Sequence, residues 1–351
     1  MKETKNLYRI GLPNENLVSV SQLQTYMSCR KKWSYGYVRN LTPRVDRSYL
    51  TVGKLCHKGM QVAMQTLWKK GSTLWMIAME DGVKAIRNSY QDYIDSTPLL
   101  NEELPEVEQT WKDAESIFRQ AFVEFEPWKY EVLSVVKNKQ LLPALELHFL
   151  IPCAGVMRLH GFIDAILRDT TTGSVWCTDY KFRKSLSPDD EEAFNIQNAV
   201  YSRACAKMGI EITGTMTWQH INTPAADPAI LKDGKISRSK IKTTWEHFRK
   251  FVCEHEQDPE DYKEMEEKLG DIEWFRATYE YRNPETIQNM WNECVVPAAY
   301  EINKARKEKI KNYRSIYPWN CKMCQFQSLC QAELRNYDVD AIIQREYTKR
   351  K

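Results

Sequence analysis

Two charged side chains in the middle of the chain have the types and spacing for metal-dependent chemistry. Asp179 and Lys181 lie two residues apart, after the apolar segment 174–178. In a β-strand, residues two apart point to the same face, so this acid and this base would share one side. A carboxylate can bind a divalent cation, and a nearby ammonium can orient water or neutralise charge on a phosphate. For this pair alone, a weak ion pair at an exposed strand end is the alternative.

Further polar residues fall on the segments that flank this pair. Asp164 ends the run Gly161-Phe162-Ile163-Asp164 on the preceding strand-like segment. Paired antiparallel strands would bring Asp164 close enough to Asp179 to share one divalent cation, with waters completing the shell. Gln197 and Tyr201 lie four residues apart, on one face of the next predicted helix, where they could hold a substrate strand. Packing on the helix surface is the alternative for Gln197.

Three cysteines near the end of the chain have ligand spacing. Cys321 and Cys324 form a C-x2-C pair, and Cys330 follows after five further residues. The chain starts without the apolar region of a secretory signal, so the expected location is the cytoplasm, where disulfide frameworks are rare. Metal binding is therefore the favoured interpretation of this spacing.

The elements that must position these residues are strands and one helix. Segments 145–151, 157–167 and 174–182 alternate like strands and are separated by turn residues, which predicts an antiparallel meander. A helix is predicted next, with Ser187 as its N-cap, Pro188 at its first position and Gly209 as its stop. Another strand is predicted over 212–222.

The flanking sections read as mainly helical. We expect helices up to about residue 135 and again over 240–310, with a kink at Pro297. The predicted organisation is a helical N-terminal section (1–140) with Cys29 and His57, a core (141–225) and a helical C-terminal section (226–351) with the cysteine cluster. These sections are expected to form one integrated α/β domain with a mixed central sheet.

Composition is that of a soluble globular protein, with 42% hydrophobic and 28% charged residues and no apolar run near the roughly 20 residues that span a bilayer. No membrane association is expected. The net charge is only +3, but residues 29–58 hold eight Lys/Arg against one acid, and residues 301–314 hold six against two. Trp33, Tyr35 and Tyr37 interleave with the first cluster, a combination suited to gripping phosphates and stacking bases. Solvated helix faces are the alternative for both stretches.

Taken in order, these motifs resemble a known nuclease family. G-x-x-x-H (53–57), G-x-x-D (161–164), D-Y-K (179–181) and Q-x-x-x-Y (197–201) resemble the RecB-like branch of the PD-(D/E)XK nuclease superfamily. The resemblance implies a restriction-endonuclease-like core that cleaves DNA with Mg²⁺ or Mn²⁺. It implies the following roles: metal binding by His57, Asp164, Asp179 and the Tyr180 carbonyl, catalysis by Lys181, and DNA contact by Gln197 and Tyr201. Glu146 lies where many relatives carry an acid, and a solvent-exposed strand glutamate is the alternative.

The cysteines extend the resemblance to a subset of these nucleases. Four-cysteine exonucleases of CRISPR adaptation and the AddB nuclease domain carry one cysteine upstream of the core and C-x2-C-x5-C after it. Cys29, Cys321, Cys324 and Cys330 match that layout. The resemblance implies a structural [4Fe–4S] cluster joining the two helical sections, and zinc held by four thiolates is the alternative.

The expected function is a metal-dependent exonuclease acting on DNA ends in recombination, repair or phage DNA processing. Arg30, Lys31 and Lys32 are expected to contact DNA phosphates, and a helicase or recombination protein is a conceivable partner. Two other classes stay open. One is a DNA-binding module whose nuclease site is inactive, and the other is an interaction protein stabilised by zinc. Residues 223–310 lie outside the motifs and could confer substrate choice.

Overall fold

The structure is a computed structural model, and it describes residues 16–44, 48–96, 104–137, 139–188, 191, 194–270, 272–308 and 312–350. The strands of this part of the chain are β1 (Leu17–Ser19), β2 (Leu41–Pro43), β3 (Tyr130–Val132), β4 (Ser134–Lys137), β5 (Gln140–Pro143), β6 (Leu145–Pro152), β7 (Arg158–Asp169), β8 (Val175–Arg183), β9 (Gly214–Ile221), β10 (Phe275–Tyr281) and β11 (Tyr347–Lys349).

The α-helices of the same residues are α1 (Val20–Ser28), α2 (Arg30–Trp33), α3 (Ser48–Lys70), α4 (Trp75–Ser96), α5 (Leu104–Glu124), α6 (Ile196–Lys207), α7 (Trp245–Glu254), α8 (Glu264–Gly270), α9 (Pro284–Met290), α10 (Val296–Lys307), α11 (Pro318–Lys322), α12 (Gln327–Leu334) and α13 (Val339–Glu346). Two π-helical turns, Ser34–Val38 and Trp291–Val295, adjoin them. In the described residues, no helix combines the length and apolar character that crossing a bilayer requires.

A seven-stranded mixed sheet lies at the centre, in the order β1-β7-β8-β9-β10, and β3 and β6 pair with the other edge of β7. The predicted antiparallel meander is confirmed as β6, β7 and β8. The next strand, β9, runs parallel to β8 because α6 carries the chain back across the sheet. The predicted fold class, a mixed sheet flanked by helices, is therefore confirmed, and strands from all three predicted sections join this sheet.

Helices cover both faces of the sheet. On one face α3, α4 and α5 pack with apolar residues at three- and four-residue spacing, such as Met60, Met64 and Leu67 of α3. These helices approach closely: a Cβ on Gly82 would lie 2.4 Å from the Phe118 ring and 2.9 Å from the Gly59 carbonyl oxygen. On the other face α1, α6 and α10 close a second core against β6 and β7.

Two sequence predictions about these elements are wrong. The 240–310 section is not all helical, because β10 adds an antiparallel edge strand to β9. The helix that carries Gln197 is capped by Asn195 and begins at Ile196, not at Pro188. The first turn predicted after Ser187 and Pro188 includes residues 189, 190, 192 and 193, which lie outside the described residues. The predicted kink at Pro297 corresponds to the π-helical turn immediately before α10. Pro297 lies in the first turn of α10, and it has no backbone N–H to donate a hydrogen bond.

The two ends of the described chain meet outside the sheet. Strand β11 pairs antiparallel with β2. Beside this pair, Tyr35, Leu41, Phe326, Leu329 and Tyr347 form a small core of their own, which we call the terminal clasp. Protein contacts thus link the N-terminal and C-terminal sections, and the metal cluster predicted to join them stays a prediction.

Candidate active site

The two predicted metal-binding carboxylates meet where β7 and β8 separate. The ladder between these strands ends at the pair Ala165–Thr178, and Asp164 and Asp179 are the next residues on each strand. Before this point β7 pairs with β1 instead, so the strands diverge and leave a notch. Asp164 Oδ2 accepts the Tyr180 N–H at 2.9 Å across that notch. The two acids therefore lie side by side, as the strand spacing in the sequence predicts.

His57 reaches the same notch from helix α3. Its Nδ1 lies 3.3 Å from Asp164 Oδ2. The imidazole packs edge-on against Tyr180 and Phe182, with ring centroids 6.3 and 5.7 Å away. The long amphipathic helix α3 thus presents one polar side chain to the carboxylate pair while its apolar face holds it on the sheet.

Lys181, Asp179 and Gln197 form a closed hydrogen-bonded set. Lys181 Nζ lies 2.6 Å from Asp179 Oδ2 and donates to Gln197 Oε1 at 3.2 Å. Gln197 Nε2 returns a bond to Asp179 Oδ1 at 2.9 Å. Every heteroatom of the Gln197 amide is therefore used to fix the acid and the lysine.

Tyr201 lies one helical turn further on and is buried. Its hydroxyl accepts from Gln197 Nε2 at 2.6 Å and donates to the Phe162 carbonyl oxygen at 2.8 Å. In this arrangement Tyr201 ties the helix to β7 and orients Gln197. Contact of Gln197 and Tyr201 with DNA stays a prediction, whereas their positioning of Asp179 and Lys181 is a property of the fold.

The electrostatics of the notch favour a cation. Burial raises the pKa of Asp164, the charge of Asp179 adds to the rise, and His57 and Lys181 oppose it. Burial alone would lower the pKa of Lys181, but Asp179 and Asp164 outweigh it, and the net shift is upward. Lys181 is therefore a cation at neutral pH. Two buried carboxylates so close together would be further stabilised by a divalent ion.

The donor set suits Mg²⁺ or Mn²⁺. Mg²⁺ is usually held by one or two carboxylates and keeps several waters, so two aspartates with a histidine are a sufficient protein contribution. Among the residues that the structure describes, no group of three or more His, Cys, Asp or Glu side chains is already arranged as a metal cage. The residues fit the ion chemically, and their role as ligands stays a prediction.

Glu146 stands opposite Asp164 on β6. The flanking pairs, Leu145–Ala165 and Leu147–Ile163, define that position. Glu146 has a left-handed φ of 46°, which is costly for a residue with a side chain. It is half-buried, not a solvent-exposed strand glutamate, and its charge contributes to the raised pKa of the Tyr180 hydroxyl, after burial and Asp164. A third acid thus adjoins the notch.

A cavity of about 310 Å³ opens beside Lys181 and Gln197. Sequence reasoning missed its other lining residues, which are Gln24, Arg183, Glu191 and Asn195. Arg183 could have been found, because it follows Lys181 at the two-residue period of the strand. Gln24 could not, because only the packing of α1 against the sheet brings it here.

The cysteines lie at the terminal clasp. Cys29 ends α1 and caps α2, its Sγ accepting from the Lys32 N–H at 3.5 Å. Burial raises the pKa of Cys324, the charges of Cys29 and Cys330 add to the rise, and Lys32 opposes it, so these groups are neighbours. Cys321 lies one turn away, its carbonyl accepting the Cys324 N–H at 3.2 Å. The described thiols are free and form no preassembled metal cage.

The predicted DNA-contacting cations are partly used within the protein. Arg30 pairs with Glu301, and Lys31 Nζ lies 2.6 Å from Glu333 Oε2. The predicted base-stacking role of Trp33 and Tyr35 is wrong, because both rings are fully buried, Trp33 in the core around α1 and Tyr35 in the clasp.

The model of the PD-(D/E)XK nuclease superfamily matches residues 17–331, which include every element of the sheet and the notch. The chain therefore belongs to this superfamily, and its members are nucleases that typically use Mg²⁺ or Mn²⁺. A search of curated proteins finds no significant match.

Proposed function

We propose that this protein is a divalent-metal-dependent deoxyribonuclease that degrades DNA from its ends. The observation that supports the proposal most strongly is the notch, where Asp164 and Asp179 lie together and are flanked by His57 and Lys181. Acids, imidazole and lysine in this arrangement match the chemistry of metal-assisted phosphodiester hydrolysis.

In this proposal Asp164, Asp179, His57 and the Tyr180 carbonyl hold the metal. When bound, the ion would polarise the phosphate and lower the pKa of a bound water. Lys181 is already a cation in contact with Asp179, so its ammonium can stabilise the negative charge that develops on the phosphate. Gln197 holds Lys181 and Asp179 in register, and Tyr201 holds Gln197. Glu146 supplies a further acid near the reacting phosphate.

The proposed branch of the superfamily rests on the order of the motifs, and the proposed cluster rests on the cysteines. The order G-x-x-x-H, G-x-x-D, D-Y-K and Q-x-x-x-Y favours the RecB-like branch, hence an exonuclease of recombination, repair or phage DNA processing. This role suggests a helicase or recombination protein as the partner and the cytoplasm as the location. Cys29, Cys321, Cys324 and Cys330 are proposed to bind a [4Fe–4S] cluster, with zinc as the alternative. Neighbouring thiols at the clasp support a shared site.

Digestion of labelled DNA tests the activity and its direction. Linear single-stranded and double-stranded DNA, labelled at either end, is incubated with Mg²⁺, Mn²⁺ or EDTA, beside a closed circular duplex. We expect metal-dependent release of short products from linear DNA and an intact circle. Cleavage of the circle would instead indicate an endonuclease. DNA binding without cleavage under every metal condition would favour the inactive DNA-binding module.

A further inference from the structure

An exposed aromatic segment lies beside the terminal clasp. Residues 313–323 carry five large apolar side chains that are 50–74% exposed: Tyr313, Ile316, Tyr317, Trp319 and Met323. Tyr313, Ile316 and Tyr317 lie in the coil before α11, Trp319 lies in α11, and Met323 lies in the turn that follows it. Soluble proteins rarely expose apolar side chains in such density unless the surface binds something.

Cations are interleaved with these rings. Arg30 lies between two aromatic rings, with its guanidinium carbon 4.6 Å from the Tyr313 centroid and 4.9 Å from that of Tyr26. Lys322 Nζ lies 6.0 Å from the Trp319 centroid. The preceding residues 301–314 hold six Lys/Arg against two acids. Flat rings beside positive charge match single-stranded nucleic acid, whose bases stack while its phosphates pair with cations.

The segment is connected to the catalytic notch along one helix. Gln24, on the exposed face of α1, lines the cavity that contains Lys181. The same face continues through Met27 to Ser28, about 6 Å further along the axis. Arg30 and its stacked Tyr313 follow directly. The exposed face of α1 therefore lies between the cavity and Tyr313, the first aromatic residue of the segment.

We propose that residues 313–323 form a stacking platform for single-stranded DNA, which holds the strand that enters or leaves the notch along α1. The inference deepens the proposed nuclease function and rests on it for the role of the strand. Trp319 is the central contact because it has the largest aromatic face of the segment and a cation beside it. The platform would make the enzyme prefer ends that are, or can become, single-stranded.

Binding of a fluorescent oligothymidine, measured by anisotropy in EDTA, tests the platform without cleavage. Trp319→Ala is expected to weaken binding by about 5- to 150-fold, the range for loss of one base–aromatic stack. Trp319→Phe should recover most of the affinity because it keeps a flat ring. Tyr337→Ala is the matched control, since Tyr337 is an equally exposed aromatic residue outside the segment, and it should bind like wild type.

The salt dependence separates stacking from charge. Trp319→Ala should leave the slope of log affinity against log salt unchanged, whereas Lys322→Ala should reduce it by about one unit. Unchanged affinity in Trp319→Ala would overturn the platform. Self-association of the wild type that Trp319→Ala abolishes, with DNA affinity intact, would also overturn it and identify a protein interface.

The test separates this inference from the proposed function. Binding that depends on Trp319 in a protein that cleaves no DNA would support the platform and refute the nuclease. Binding that is independent of Trp319 in an active nuclease would refute the platform alone.

Discussion

Removal of the Lys181 ammonium should destabilise the metal-free protein as well as inactivate it. Lys181 Nζ lies 2.6 Å from Asp179, whose side chain is only 6% exposed, and Asp164 is the adjacent acid. Lys181→Ala leaves both carboxylates buried, with His57 as the nearest remaining partner. Breaking a buried ion pair by removing one member costs about 3–5 kcal/mol, because the other charge stays buried without compensation.

The lysine side chain is 25% exposed, so we take a lower value, about 2–3 kcal/mol. For a chain of this size that corresponds to a fall in Tm of about 3–4 °C. A bound divalent cation would replace the lost charge. Mg²⁺ should therefore raise the Tm of Lys181→Ala by more than it raises that of wild type.

Thermal melts in EDTA and in excess Mg²⁺ measure both effects, with Lys207→Ala as a control for loss of an exposed lysine. The single variant Asp179→Asn and the double variant Asp179→Asn/Lys181→Ala complete a double-mutant cycle. The double variant should be more stable in EDTA than Lys181→Ala, because the orphaned charge is gone. If Lys181→Ala melts like wild type in EDTA, or if the double variant gains nothing, the electrostatic account of the notch is refuted.

Four further outcomes are expected. Asp164→Ala should lose Mn²⁺ binding, measured by electron paramagnetic resonance, whereas Lys181→Ala should keep it, and equal loss in both would contradict their different roles. Tyr201→Phe should lower kcat with little change in KM and cost about 1–3 kcal/mol of stability, because both internal hydrogen bonds of the hydroxyl, to Gln197 and to the Phe162 carbonyl, are lost; a rise in KM alone would instead indicate DNA contact. Burial opposes ionisation of Glu333, but hydrogen bonds from Lys31 and Tyr35 prevail and the net pKa is lowered. The stability that ionised Glu333 contributes is therefore present above the ordinary glutamate pKa and is lost as the pH falls through the lowered value. Thermal melts at acid pH should show that Glu333→Gln lacks this loss. The same loss of stability in acid in Glu333→Gln would exclude Glu333 as its cause. Cys29→Ala should lower iron, sulfide and solubility together after anaerobic purification. Stoichiometric zinc without labile sulfide in wild type would show that the four cysteines bind zinc and not a [4Fe–4S] cluster. A wild-type protein that is well folded without metal would refute metal binding by these cysteines.

The carboxylate pair could be predicted because it depends on local rules. Strand alternation sets the common face of Asp179 and Lys181, and short connections make β7 and β8 neighbours. The position of the helix that carries Gln197 could be predicted for the same reason, because a short connection makes it a neighbour of β8. What spacing does not show is that the ladder ends at Ala165–Thr178, because that end depends on β1 taking the place of β8 beside β7.

The missed features depend on contacts distant in sequence. Strands β1 and β2 have three residues each, too few for any periodicity to be visible. The pairing of Lys31 with Glu333, and the burial of Tyr35 beside it, require the terminal clasp. The left-handed backbone of Glu146 has no signal in its side-chain type.

The edge strand β10 lies in a section that was wrongly predicted to be helical. Its sequence Phe-Arg-Ala-Thr-Tyr-Glu-Tyr alternates and is rich in aromatic residues, which is typical of a strand. The surrounding charged, helix-forming residues obscured this short signal. Tyr279 packs on Trp176 with centroids 4.8 Å apart, a cross-strand contact that stabilises the edge.

Single-turnover cleavage of end-labelled linear DNA in Mg²⁺ tests whether the notch is the catalytic site, with wild type, Asp179→Ala, Lys181→Ala and the surface control Lys207→Ala compared at saturating protein. We expect rapid metal-dependent cleavage by wild type and Lys207→Ala. We expect a loss of about 10²- to 10³-fold in each active-site variant, the size seen when a group that stabilises transition-state charge is removed. Cleavage at the wild-type rate by either active-site variant would contradict the assignment of this notch as the catalytic site.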